Sequence, residues 1–349
     1  KLTSVTLPNT LTAVPGYMFQ NCTSLTEISI PVSVTKFGSN VFKGCSVLAT
    51  INIPEGVTEL GSQVFYECKK LAEITLPNSL IKIGSSAFKS NPALTNIVIP
   101  DSVTTIESYA FDNCTNLRTL HLGAGITNIS AFKNCPLRDI TVSKNNSVFD
   151  SREECNAIIE TATNTMVLGG YNTTFPSSVT TIGSYAFTKR GLSSEIPNTI
   201  TSIGDCAFME SGISTIVIPD SVTSLGKNIF KTTNYLQSVT LPNSITTIPE
   251  GMFQGCNVKL TSITIPNSVT TIEKHAFYAC SKLQTVIWGT SVTTIGDSAF
   301  ASTALTSITI PDSVTSVGDD AFNYCSALTT VTLGKGLTTI GTNAFGSCS

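Results

Sequence analysis

The residues best placed to do chemistry lie in one short stretch of the sequence, in two copies about 20 residues apart. Arg118 and His121 belong to the first copy, and Arg138 and Asp139 to the second. Side by side, the two copies would form a charged patch. Two interpretations stay open: an Arg–Asp ion pair that solvates the surface and contributes little, or a recognition spot whose guanidinium groups bind an acidic partner segment with bidentate hydrogen bonds.

The rest of the sequence offers little for catalysis. It contains 2 histidines, and no phosphate-binding loop, dinucleotide fingerprint, nucleophile elbow or HExxH motif. Glu27 and Glu73, which we expect on strand faces, have Thr50 between them, so they do not form the close carboxylate pair that acid–base catalysis needs. We therefore expect no enzyme activity and no cofactor.

The 11 cysteines are the remaining reactive side chains. Nine stand three residues after a phenylalanine, and other copies of that slot hold Asn91, Arg190, Ser211, Thr233 and Thr303. A slot this tolerant is not half of a disulfide framework, so we expect buried free thiols that behave as small apolar groups. Cys155 and Cys206 lie outside the pattern. Because no C-x-x-C pair or nearby histidine accompanies them, we expect no metal site.

The elements that must position these residues follow from a repeat of about 23 residues. Phenylalanine recurs in fourteen units, at Phe19, Phe42, Phe65, Phe88, Phe111, Phe132, Phe187, Phe208, Phe230, Phe253, Phe277, Phe300, Phe322 and Phe345. A period this short and regular indicates a solenoid, in which stacked units bury together the apolar residues that no unit could bury alone.

Each unit predicts the same path of the chain. A clear copy reads Leu94-x-x-Ile97-x-Ile99-Pro100-x-x-Val103-x-x-Ile106, then Ala110-Phe111-x-x-Cys114. Alternation around Ile97 is typical of a strand with one buried face, and the proline ends its pairing. Val103 and Ile106 return the chain inward before a short turn carries Ala-Phe into the core. We predict a curved right-handed coil with a parallel β-sheet on the concave face and short helical or irregular turns on the convex face.

The outward strand positions of this predicted sheet are mostly serine and threonine. Trp288 occupies a position that Ile or Leu fills elsewhere, so we expect it to point into the core and Ile287 to point outward. The candidate binding residues on the face are Arg118, His121, Arg138, Asp139, Glu27, Glu73, Gln237 and Ile287.

Residues 143–175 interrupt the repeat. Two apolar runs, Cys155–Glu160 and Met166–Leu168, flank a polar turn and predict a β-hairpin. We expect a first repeat array at 1–142, this insert at 143–175, and a second array at 176–349 that continues the first. The insert either replaces the outer half of one coil and joins the arrays, or projects beside the sheet and helps to form a binding surface.

The amino-acid composition limits the classes of partner that we expect for this chain. The 349 residues include only 12% charged residues and carry a net charge of −3, which disfavours nucleic acid and anionic membranes. No apolar run approaches the roughly 20 residues that span a bilayer. The sequence begins at Lys1 without an initiator methionine, so we expect a trimmed piece of a longer chain, and the absence of a signal peptide says nothing about its compartment.

The unit L-x-x-I-x-I-P-x-x-V-x-x-I-G-x-x-A-F-x-x-C resembles the leucine-rich repeats of the BspA-like surface-protein family, the Treponema-type repeat. The likeness covers nearly the whole chain. It implies a non-catalytic, exported protein that adheres to extracellular or host proteins, and we expect a monomer at the cell surface or secreted. The alternatives are an extracellular glycan-binding module and a structural stalk that presents another domain.

Overall fold

The computed structural model describes residues 1–132 and 134–349. They form two compact units, residues 1–163 with 169–172 and residues 164–168 with 173–349. Each unit is a stack of solenoid coils, where a coil is one repeat and is named below by its phenylalanine. Most coils contribute a first strand, which carries the Leu-x-x-Ile-x-Ile pattern, and a second strand beyond the proline turn. The predicted leucine-rich-repeat solenoid is confirmed.

The first strands of the first unit are Ser4–Thr6, Glu27–Ser29, Thr50–Asn52, Glu73–Thr75, Asn96–Val98, Thr119–Leu122 and Asp139–Val142. Its second strands are Ala13–Val14, Lys36–Phe37, Glu59–Leu60, Lys82–Ile83 and Thr105–Ile106. Two further strands lie in the predicted insert, Phe149–Asp150 and Ala157–Glu160.

The first strands of the second unit are Thr215–Val217, Ser238–Thr240, Ser262–Thr264, Thr285–Ile287, Ser307–Thr309 and Thr330–Thr332. Its second strands are Thr181–Ile182, Ser202–Ile203, Ser224–Leu225, Thr247–Ile248, Thr271–Ile272, Thr294–Ile295, Ser316–Val317 and Thr339–Ile340. The strand Thr165–Gly169 precedes them.

The first strands bury one row of side chains and expose the rows on either side. Glu73 and Thr75 are exposed while Ile74 between them is buried, as the alternating sequence predicts. Thr50 pairs with Glu73 and Ile51 with Ile74 in parallel register. The exposed rows therefore run from coil to coil, with one side chain per strand in each row.

The second strands were not predicted. The sequence suggested only that Val103 and Ile106 bring the chain inward, whereas Thr105–Ile106 pairs in parallel with Lys82–Ile83. In the first unit, five second strands form one continuous ladder. Their charges alternate along it. Lys36 Nζ lies 2.9 Å from Glu59, and the hydrogen bond from Lys82 to Glu107, at 2.7 Å, lowers the pKa of the Glu107 carboxyl.

The turn that carries the phenylalanine is not helical in most coils. We name it the Phe turn, the five residues centred on the repeat phenylalanine, such as residues 86–90. Ser86 and Ser90 have φ angles of 54° and 61°, a left-handed conformation that costs an L-residue roughly 1–2 kcal/mol. The N–H groups of Ser86, Phe88 and Ser90 donate to the next coil, to the carbonyls of Ser108, Ala110 and Asp112 at 2.8–3.0 Å.

These hydrogen bonds between successive Phe turns form a ladder along the solenoid, on a side where the sequence predicted turns alone. The described residues include two short 3₁₀ segments, Ser130–Phe132 and Arg152–Glu154, and no α-helix. Within the described part of the chain, no helix has the length and apolar character to cross a membrane.

Stacked phenylalanine rings form the centre of each unit. Within a unit, the rings of successive Phe turns lie 4.9–5.6 Å apart between centroids, with interplanar angles of 3–19°. Spacing of this kind is the offset stacking that aromatic pairs prefer. Because the ladder of the Phe turns fixes one ring per coil, each ring packs between its neighbours.

The cysteine slot is more specific than the sequence suggested. All 11 cysteines are free, as expected, but eight of the nine in the slot, all except Cys22 of the first coil, are hydrogen-bond donors rather than simple apolar fillers. Cys45 Sγ donates to Phe19 O of the preceding coil at 3.1 Å, and Cys68 donates to Phe42 O at the same distance. Thr233 makes the equivalent bond at 2.8 Å. Burial raises the pKa of Cys45 to about 12, so its thiol stays protonated and able to donate.

Candidate binding surface

The predicted patch forms on three paired first strands of the first unit. Asn96 pairs with Thr119, and Thr119 pairs in turn with Asp139. In the next exposed row, Val98 pairs with His121, and His121 with Thr141. The expectation that the two charged copies lie side by side is therefore confirmed. We name the six side chains of these two rows the strand patch: Asn96, Val98, Thr119, His121, Asp139 and Thr141.

The strand patch mixes apolar and polar groups. Val98 is 58% exposed although its side chain is apolar. Beside it, His121 Nδ1 lies 2.9 Å from Thr141 Oγ1, which fixes the orientation of the imidazole ring. The carboxylate of Asp139 is exposed on the outer row. The patch thus offers a hydrogen-bond acceptor, an aromatic nitrogen and a small apolar contact within three strands.

The two arginines beside the strand patch do not form the ion pair that one interpretation expected. Arg118 Nη1 donates to Pro136 O at 3.0 Å, and the Arg138 guanidinium lies 5.5 Å from the ring centroid of Tyr171. In the described part of the chain neither arginine approaches Asp139 within ion-pair distance. A nearby carbonyl and an aromatic face hold the guanidiniums instead, and Asp139 is left facing solvent.

The insert covers the free edge of Asp139–Val142, which is the most C-terminal of the first strands in the first unit. Ile140 N–H donates to Asn156 Oδ1 at 2.6 Å, and Asn156 Nδ2 donates to Arg138 O. One amide side chain therefore replaces the neighbouring strand that Asp139–Val142 would otherwise need, and blunts an edge open to pairing with another chain. Neither Asn156 nor Tyr171 carried a sequence signal for these contacts, which depend on tertiary structure alone.

Replacing Asn156 with alanine should destabilise the first unit by about 1–3 kcal/mol, because two main-chain groups lose their partners. Asn156→Asp should recover part of the loss, since its carboxylate still accepts from Ile140 N–H. Denaturant unfolding measures both, with the exposed Asn172→Ala as the matched control. If Asn156→Ala unfolds with the midpoint of the natural protein, the edge does not depend on this side chain.

Both apolar runs of the insert form strands, as predicted, but their surroundings differ from a simple hairpin. Phe149–Asp150 pairs antiparallel with Ala157–Glu160, with Phe149 opposite Glu160, and this pairing was not expected. Val142 N–H also donates to Ser151 Oγ at 3.2 Å. In the first unit, residues of the insert therefore lie directly beside the strand patch.

The other predicted binding residues do not belong to the strand patch. Glu27 and Glu73 are exposed on first strands, and the register places Thr50 beside Glu73, so the two carboxylates are not neighbours, as expected. In the second unit, Gln237 is exposed immediately before the strand Ser238–Thr240. Ile287 is 54% exposed and pairs with Thr264.

The sequence also predicted that Trp288 points into the core and that the off-register cysteines hold no metal. The Trp288 ring meets the buried Phe300 edge-on, with centroids 5.7 Å apart, so it points inward as predicted. The off-register Cys155 is buried, and its pKa is raised to about 11 by burial. Among the described residues, no group of three or more His, Cys, Asp or Glu side chains is arranged to hold a metal ion.

Comparisons with known proteins show which protein family and which solved structures the chain is similar to. The family model for the BspA type leucine rich repeat region matches residues 1–117, 48–156, 170–260 and 256–349. A leucine-rich repeat protein from Bacteroides ovatus is 29% identical, with a TM-score of 0.66 over 99% of this chain and 85% of its own. A second, from Eubacterium ventriosum, is 23% identical, with a TM-score of 0.68 over 99% and 88%.

A leucine rich cell surface protein from Faecalibacterium prausnitzii is 28% identical, with a TM-score of 0.47 over 95% of this chain and 79% of its own. No curated protein matches the chain. The repeat pattern, the paired first strands and the match of the family model along most of the sequence lead to one conclusion: the chain belongs to the BspA-type leucine-rich repeat family.

Proposed function

We propose that this chain is a non-catalytic, cell-surface or secreted module that binds extracellular or host proteins through the exposed face of its first strands. The observation that carries the proposal is the strand patch, where Val98, His121 and Asp139 stand exposed or half-exposed in register on three paired strands. Repeat proteins commonly use such extended faces for protein partners.

The chemistry of the strand patch favours a partner protein that presents basic and apolar groups to the centre of the patch and acidic groups to its edge. Asp139 accepts hydrogen bonds, Val98 offers an apolar contact, and the guanidiniums of Arg118 and Arg138 flank the two rows. Arginine is enriched in the residues that dominate protein interfaces. The localisation and a monomeric state rest on the family resemblance.

The two alternatives find less support on this face. A glycan-binding sheet would need exposed phenyl, phenol or indole rings, and the described first strands present none, because the exposed tyrosines lie on turns and in the insert. A pure stalk needs no residues like Val98 in its exposed rows. Deleting the repeats from the full-length protein and measuring adhesion separates a binder from a spacer, since a spacer's loss would leave binding by the remaining protein intact.

The test is capture of host extracellular proteins on the immobilised protein, followed by affinity measurement with Arg118→Ala/Arg138→Ala. We expect the double variant to bind at least about 10-fold more weakly, because charge-assisted hydrogen bonds contribute about 1.5–3 kcal/mol each. Lys69→Ala/Lys70→Ala removes the same charge from exposed positions off the first strands and should bind normally. Equal affinities for the two double variants would exclude the arginines from the interface.

A further inference from the structure

A groove of about 590 Å³ opens in the second unit, and none of its lining residues belongs to a first strand. Its lining comes from three successive coils, those of Phe187, Phe208 and Phe230, and includes Lys189, Glu210, Ser211, Gly212, Asn234 and Tyr235. A volume of this size lies within the range of small-molecule sites, about 300–1,000 Å³.

The groove has a cause in the sequence. The proline after the first-strand position follows the repeat phenylalanine by ten positions in the coil of Phe187 (Pro197) and by eleven in the coil of Phe208 (Pro219). In the coil of Phe230 it follows by twelve positions (Pro242). Two successive coils are therefore shortened, and the next coil is full length. The missing residues leave a notch, and Asn234 and Tyr235 of the full-length coil form its wall.

Two polar groups in the notch have no partner in the protein. Ser211 is 2% exposed and its Oγ makes no hydrogen bond, and the buried Asn234 Oδ1 is unpaired as well. Ser211 occupies the cysteine slot, yet it does not make the bond to the preceding coil that Thr233 makes. Buried polar groups in native proteins are rarely left unpaired. Both residues line the groove.

The rim of the notch is polar, balanced in charge and partly aromatic. Lys189 Nζ and Glu210 Oε2 lie 3.8 Å apart and both side chains are about half exposed. Tyr235 is 65% exposed. At Gly212 the floor is open, because an added Cβ would meet no atom within 4 Å, while the glycine N–H is already bonded to Arg190 O at 3.2 Å.

We propose that this notch binds a neutral saccharide unit of a glycan. A sugar presents adjacent hydroxyls that both donate and accept, which matches Ser211, Asn234 and the Lys189–Glu210 pair. Its apolar C–H face packs against an exposed ring such as Tyr235. Because the lysine and the glutamate cancel in charge, the site gives no preference to an anionic sugar. The proposal does not rest on protein binding by the first strands.

The test is a printed array of neutral oligosaccharides that end in glucose, galactose, mannose or N-acetylhexosamine, with sialylated and sulfated glycans as separate arms. The best-bound neutral oligosaccharide is then measured by saturation-transfer NMR. Gly212→Leu fills the groove without backbone strain and should weaken binding at least ~10-fold with an unchanged melting temperature. Tyr235→Ala should weaken it by about 5-fold or more.

Tyr324→Ala is the matched control, because Tyr324 is 64% exposed on a Phe turn and does not line the groove. It should bind as the natural protein does. If Gly212→Leu melts early, Tyr235→Ala decides the result. The proposal is overturned if the protein retains no neutral oligosaccharide, if only the anionic arms bind, or if Tyr235→Ala binds no more weakly than Tyr324→Ala.

Discussion

Phe88→Ala should destabilise the first unit by about 3–5 kcal/mol, the cost of emptying a buried aromatic site. Phe88 is fully buried, with the ring of Phe65 at 5.4 Å on one side and that of Phe111 at 5.2 Å on the other. The substitution therefore removes two stacked pairs as well as the buried area. Because repeat stability depends on nearest neighbours, unfolding of the variant should also lose cooperativity.

Chemical denaturation followed by circular dichroism measures both effects. Tyr17→Ala is the control, since this tyrosine is exposed on a Phe turn of the same unit, and it should change the free energy of unfolding by no more than about 0.5 kcal/mol. A loss below about 1 kcal/mol for Phe88→Ala would mean that the phenylalanine column is not a closely packed core.

Asn91→Cys should stabilise the first unit by about 1–3 kcal/mol. Asn91 occupies the cysteine slot in the coil of Phe88, is fully buried, and has no partner for its amide oxygen or its amide nitrogen. Removing unpaired buried polar groups recovers their desolvation cost. A cysteine there gains the bond to the Phe65 carbonyl that Cys68, one coil earlier, makes to Phe42.

The reverse exchange is the matched variant. Cys68→Asn should cost a similar amount, because it buries a second unpaired amide in place of a satisfied thiol. Thermal unfolding under reducing conditions compares the two without disulfide artefacts. If Asn91→Cys melts at or below the temperature of the natural protein, then the slot tolerates amides, and the donor role assigned to its cysteines is wrong.

The elements that the sequence predicted well are those fixed by apolar periodicity. Ile74 and Ile97 alternate with polar neighbours, and their strands appear where this alternation stands. The phenylalanine column follows from the period alone. The pairing of Thr119–Leu122 with Asp139–Val142 was also predictable from the sequence, because a repeat in register places equivalent residues side by side.

The backbone conformation of the Phe turns could not be predicted from the sequence, because it is determined by hydrogen bonds to neighbouring coils. The left-handed positions hold Tyr109, Gln63, Glu67 and Ala279 as well as asparagine and glycine, so no residue type marks them. They persist because the ladder between coils offsets the local cost. The donor role of the cysteines was hidden for the same reason, since its acceptor belongs to another coil.

The candidate site was predictable in position and not in contacts. Arg118, His121, Arg138 and Asp139 are gathered as expected, but the partners of the arginines are Pro136 and Tyr171. Tyr171 lies 33 residues along the chain from Arg138, within an insert whose path no repeat constrains. Its approach to the guanidinium, like the strand-edge contact of Asn156, depends on packing that a single sequence does not encode in any local pattern.

Photo-crosslinking from two exposed positions tests the proposed binding face most directly. p-Benzoylphenylalanine placed at Val98 lies on the strand patch, and at Tyr109 it lies on a Phe turn of nearly equal exposure, 58% against 61%. Irradiated with a host extracellular protein extract, the position-98 variant should capture a protein that the position-109 variant does not. Capture from position 109 alone, or from neither position, would contradict protein binding by the first strands.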